Sequence, residues 1–195
     1  MDILQLFSQL TKEESLGQMA KQNGVDQSSI QKVVEMGLPT LLEAMGKNAK
    51  SPDGAKSLAK ALDDHKDDPV DNMLGFLRNV DTNDGAKILK HILGSKTETI
   101  ESKIASQSGV KASQVDGILS QLAPMLLGAL GQEKKKGNMD VSNLSSMLPM
   151  MTQMLGKQSK NSDLMGMAAS LLDSDKDGDI MDDVGDLVKG FFGKK

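Results

Sequence analysis

The chain has 195 residues, a formal net charge of −4 and a pI near 5.2, with four phenylalanines as its only aromatics and no cysteine. The missing cysteine excludes disulfides, thiolate metal sites and cysteine nucleophiles. The acidic balance leaves no chain-wide surplus of Lys and Arg to track phosphates, and no run of about 18 apolar residues is present to span a membrane.

The N-terminus, Met1 to Phe7, has an acid at position 2 and no positively charged segment, so it makes a poor secretory signal. Together with the missing cysteines, this sets the expectation of a cytoplasmic protein. The apolar residues are mainly Leu, Met, Val, Ile and Ala, a balance that favours helix over strand.

Residues 19–46 and 104–131 align without a gap at an offset of 85. Gly24 matches Gly109, Val25 matches Val110, Ser28 matches Ser113 and Pro39 matches Pro124. In each copy a helix is expected to end at the glycine, which supplies a left-handed cap. A second helix then starts near Asp26 or Ser113. It carries Ile30, Val33, Val34 and Leu38 on one face, or Val115, Ile118, Leu119 and Leu122. Pro39 or Pro124 is expected to kink the chain or open a new helix, and Gly46 or Gly131 to stop it.

Between the copies, Asp53-Gly54-Ala55-Lys56 is echoed by Asp84-Gly85-Ala86-Lys87, each opening an amphipathic helix. Asp63 to Asp68 reads as a solvated acidic turn, and Pro69 as the start of another helix. After Gly131 the chain is polar and reads as loose up to Asp140, with Lys134 to Lys136 a solvated basic run. Leu144 to Leu155 is a methionine-rich helix interrupted at Pro149. Its flexible thioethers suit either core packing or a partner-binding face.

The fold expected is all-α and multi-helical, with internally duplicated helical hairpins and a C-terminal acidic loop. Residues 1–94 form the first repeat unit and 95–160 the second, packed with it as one domain. Residues 161–195 form a helix-loop-helix.

The loop in that tail carries the most pointed chemistry. Asp173, Asp175 and Asp177 alternate and are followed by Gly178, the opening of an EF-hand-type calcium loop. Asp179 would offer its backbone carbonyl. Six aspartates from 173 to 183 face one base, Lys176, so a bound cation relieves their repulsion. The closing position, however, is Val184 instead of a bidentate Glu. Asp182 or Asp183 would have to close a shortened loop, which implies weak calcium binding with magnesium as a competitor. Capping of the last helix by Asp182 or Asp183 is the bland alternative.

The duplicated Gly-Val-x-x-Ser motif with its later proline, the Asp84–Gly94 segment and the Asp173–Asp183 tail together resemble the YidB-like family, a bacterial group of unknown function. The resemblance implies an all-helical fold and a bacterial source. It implies no activity and carries over no catalytic residues.

Nucleophile-elbow, phosphate-loop and dinucleotide-binding motifs are absent, so no enzyme is expected. His65 lies among aspartates and could touch a metal; more simply it belongs to a turn. His91 reads as packed or solvated. The expected role is a non-enzymatic interaction protein with a protein partner or self-association and an accessory calcium loop. The alternative is a helix-turn-helix nucleic-acid binder, from the Ala20/Gly24/Ile30 and Ala105/Gly109/Val115 spacing. Against it, neither second helix opens with an arginine, and Asp116 would face phosphate.

Overall fold

Local punctuation sets the helix boundaries in the computed structural model, which describes residues 2–137 and 143–158. Helix α1 (Ile3–Leu10) opens on Asp2, whose carboxylate accepts from the Gln5 N–H at 2.8 Å, while Gln5 Oε1 accepts from the Asp2 N–H. Helix α2 (Glu13–Asn23) ends at Gly24, which adopts φ 64°. Helix α3 (Gln27–Asn48) is capped by Asp26, accepting from the Ser29 N–H at 2.9 Å. Helices α4 (Pro52–His65), α5 (Met73–Asn79) and α6 (Thr82–Leu93) open on Ser51, Asn72 and Asp81. A 3₁₀ turn (Gly94–Lys96) leads into α7 (Thr97–Ser108), which ends at Gly109 with φ 80°. Helices α8 (Ala112–Lys135) and α9 (Leu144–Gln158) complete the described chain. All regular structure among the described residues is helical. None of these helices is long and apolar enough to cross a membrane.

Helices α2 and α7 end at 23 and 108, and α3 and α8 begin at 27 and 112, each pair at the 85-residue offset of the aligned sequence. Asp26 caps α3 as expected, but Ser113 lies inside α8, which starts one residue earlier. The prolines do not divide the helices. Pro39 and Pro124 sit inside α3 and α8, and Gly46 and Gly131 stop neither. A proline costs one helical hydrogen bond and crowds the carbonyl four residues before it. Here both helices are enclosed by neighbours along most of their length, so packing outweighs that local cost.

Other boundaries also moved. Helix α4 runs into the acidic segment as far as His65. Helix α5 starts at Met73, not Pro69, because Asn72 supplies the cap: its side chain accepts from the Gly75 N–H at 3.2 Å. Helix α8 continues to Lys135, into the first residues of the stretch read as loose, and α9 passes through Pro149 without a break.

Helices α3 and α8 form the centre, each packed by several others. In α3 every residue from Val33 to Leu42 is buried, and in α8 every residue from Ile118 to Gly131. They cross where Gly37 has no side chain: a Cβ there would come 2.5 Å from Leu119 Cδ2. A single hydrophobic core unites residues of both expected repeat units, from Ile3 and Leu6 through Ile104, Leu127 and Leu148. Fully burying such a side chain contributes about 1.5–3 kcal/mol.

Candidate functional site

The aspartates expected to hold calcium, Asp173, Asp175, Asp177, Asp179, Asp182 and Asp183, lie outside the described residues. Among the described residues, no three His, Asp or Glu side chains are grouped so as to hold a metal ion.

The acidic segment and the basic run, each read as solvated, meet instead. Lys134 Nζ lies 2.7 Å from Asp63 Oδ1 and Lys135 Nζ 2.5 Å from Asp67 Oδ1, across the α4–α8 packing. Hydrogen bonds from these lysines hold both carboxyls below their ordinary range. Lys136 pairs with Glu133 at 3.2 Å. The run is thereby matched to acids and offers no concentrated basic patch.

Both histidines line one cleft of about 460 Å³ between α4 and α6. Its floor is apolar, from Met45 of α3, Leu58 of α4, Ile92 of α6 and Leu127 of α8. Two of its lining residues make polar contacts at separate places. At one, Asn48 Nδ2 donates to the Ile92 carbonyl at 3.0 Å. At the other, His65 Nδ1 lies 2.8 Å from Asp68 Oδ2, and His65 Nε2 lies 3.7 Å from Asp84 Oδ2. His65 thus sits in the α4–α6 juncture, held by an acid on one side with another beyond hydrogen-bond range on the other. His91 is an exposed lining residue. Sequence reading placed His65 among acids but missed this cleft. Its one signal was the Asp-Gly-Ala-Lys echo, which opens α4 and α6 with similar faces; that they flank one cleft is a tertiary fact.

The helix-turn-helix spacing takes a specific form. Gly24 and Gly109 supply left-handed turns between α2 and α3 and between α7 and α8. The α2–α3 turn is docked on α8: Gln114 Nε2 donates to the Asn23 and Gly24 carbonyls at 3.3 Å, and Asn23 Nδ2 to Gln121 Oε1 at 3.2 Å. Gly117 permits the approach, since a Cβ there would meet Asn23 Oδ1 at 2.7 Å. The start of α3 is occupied by Asp26, whose carboxyl is held well below the ordinary range by the hydroxyls of Ser28 and Ser29 and the Ser29 N–H. A carboxylate there takes the place that a phosphate would take at a helix N-terminus.

Glu101 and Asp116 form a carboxyl pair that sequence reading did not find. Glu101 on α7 is 9% exposed, and its Oε1 has no hydrogen-bond partner. Burial first, then the charge of Asp116 and a hydrogen bond with it, push Glu101 up to about 7. The available signal was its place beside Ile100 and Ile104 on the buried face of α7. The pair lines neither the α4–α6 cleft nor the cavity at the α2–α3 turn.

Helix α9 divides its methionines. Leu148, Thr152 and Leu155 are buried, with α9 packed chiefly on α3. Gly46 allows the approach, with its built Cβ position 3.3 Å from Leu148 Cβ. Met147 and Met151 are half-buried, whereas Met150 and Met154 are 64% and 48% exposed, the large exposed hydrophobics among the described residues. The four lie at i, i+3, i+4 and i+7, one stripe on the outer side of the helix.

No curated protein and no solved structure matches the chain. A family model described as "Bacterial protein of unknown function (DUF937)" matches residues 5–133 and 136–195. The match runs through both aligned segments, α9 and the aspartate-rich tail, and agrees with the YidB-like resemblance in the sequence. The chain therefore belongs to this family of bacterial proteins of unknown function.

Proposed function

We propose that the protein is a non-enzymatic helical interaction protein, with α9 as its docking surface and an accessory, weak calcium loop at Asp173–Asp183. The observation that carries this reading is the exposure of Met150 and Met154, the large exposed hydrophobics among the described residues. An apolar stripe held at the rim of a packed core is suited to association. Methionine adds adaptability, because its unbranched thioether reshapes to different surfaces at small cost. The calcium part rests on the Asp173, Asp175, Asp177 and Gly178 spacing, with Asp182 or Asp183 closing the shortened loop.

The absence of recognised enzyme motifs in the sequence supports a non-enzymatic role. The left-handed turns at Gly24 and Gly109 favour a helix-turn-helix geometry, but burial of α3 and α8 and the Asp26 carboxylate weigh against nucleic acid. Affinity capture from the native cell, with and without calcium, tests the proposal. A partner retained by the full chain and lost with Met150→Asp/Met154→Asp supports it. Equal retention by both proteins contradicts it.

A further inference from the structure

The α4–α6 cleft joins an apolar floor to two acceptors that do not satisfy one another. Its volume, about 460 Å³, lies in the range of small-molecule sites. Met45, Leu58, Ile92 and Leu127 are buried beneath it, and Ala61 and Ile88 are half-buried along it. Asp68 Oδ2 lies 2.8 Å from His65 Nδ1. A carboxylate there accepts the Nδ1 proton, so the neutral ring leaves Nε2 as an acceptor. Asp84 Oδ2, also an acceptor, lies 3.7 Å from that Nε2, too far for a hydrogen bond. Both side chains line the cleft, and Asp84 is the more exposed of the two.

The surrounding charge decides which donor belongs there. A second cavity, of about 450 Å³, shares Asp64, His65 and Asp84 with the cleft, and its other charged lining residues are Asp68 and Asp81. Of the two lysines that line the cleft, Lys60 is paired with Asp64 at 3.0 Å and Lys87 is an exposed residue of α6. The place common to both cavities is therefore negative, above an apolar floor that strengthens attraction between charges. We infer that the α4–α6 cleft binds a small molecule with an apolar body and a protonated amine. The body lies over Met45, Leu58 and Ile92, and the ammonium donates to Asp84 Oδ2 and His65 Nε2. An ammonium has several N–H donors and the complementary charge. A hydroxyl has one donor and no charge, and a carboxylate has no donor and is repelled. This site on α4 and α6 is independent of the docking surface proposed on α9.

Octylamine, octanol and octanoate share one apolar body and differ in the head group. Each is titrated into the full chain carrying isotope-labelled methionine methyls, where Met45 reports from the cleft floor and Met150 and Met154 report from α9. Octylamine is expected to shift the Met45 methyl saturably and to bind at least about tenfold tighter than octanol, a difference of about 1.4 kcal/mol. Asp84→Asn is expected to erase that advantage while leaving octanol binding unchanged, which also shows that the variant is folded. Ala61→Phe, which fills the hollow from a half-buried position, is expected to abolish binding of both. Equal affinity for amine and alcohol, or an amine advantage that survives Asp84→Asn, would overturn the inference. Tighter binding of octanoate would overturn it in favour of an anion held by Lys87 and His91. Shifts at Met150 and Met154 without a shift at Met45, or no shift with any of the three, would remove the cleft as the site.

Discussion

The α-carbon of Gly85 lies against the carbonyl oxygen of Ser120, so closely that a Cβ on Gly85 would overlap that oxygen. The usual helical donor to Ser120 is the N–H of residue 124, which Pro124 lacks. Helix α6 thus approaches the central helix α8 where α8 has surrendered a hydrogen bond. Glycine is needed for its missing side chain, since this contact is with backbone, which cannot turn away.

Gly85→Ala is therefore expected to lose about 1–3 kcal/mol despite the better helix propensity of alanine. Gly17→Ala is the control: its Cβ would meet the flexible end of Gln27 at 2.8 Å, so a neutral or stabilising effect is expected. Denaturant unfolding of both variants checks the contrast.

Glu101 makes stability fall as pH rises. Its folded value, about 7, is above its ordinary 4.5. The native state holds its proton more tightly, so the stabilising contribution is complete below about 4.5 and is lost as pH rises through about 7. Glu101→Gln keeps the shape of the protonated form without the charge. The variant is expected to gain in melting temperature over the parent at pH 8 and to gain less at pH 5, by about 2–4 °C for each kcal/mol relieved. A gain independent of pH contradicts this assignment.

Much of the fold was legible in local chemistry. Gly24 and Gly109 end helices because they accept left-handed backbone, and Asp26 starts one because its carboxylate reaches the Ser29 N–H. The prolines misled, because the local cost of Pro39 and Pro124 is set against burial on all sides, which periodicity does not reveal. The same limit hid the cleft. The pairing of Lys134 with Asp63 and the meeting of His65 with Asp84 join residues far apart in sequence. For the methionine helix, spacing identified a stripe, but only its packing on α3 distinguishes buried Leu148 from exposed Met150.

Nucleic acid is expected not to be retained in filter binding at low salt. The start of α3 carries its own carboxylate, and the lysines at 134 and 135 are already paired with acids. Retention of duplex DNA that weakens with added salt would favour the helix-turn-helix alternative.

Calcium is expected to bind weakly to the tail, at one site, with heat detectable in a millimolar titration and magnesium competing. Asp175→Ala/Asp177→Ala is expected to abolish that heat. Identical isotherms for parent and variant would remove the loop from the account.

The most direct test of the account is capture of a protein partner from the native cell on the parent chain and on Met150→Asp/Met154→Asp, with folding of both checked by circular dichroism. The account predicts a partner held by the parent and at least about tenfold depleted on the folded variant, a loss of about 1.4 kcal/mol or more. The same partners in equal amount on both would contradict it.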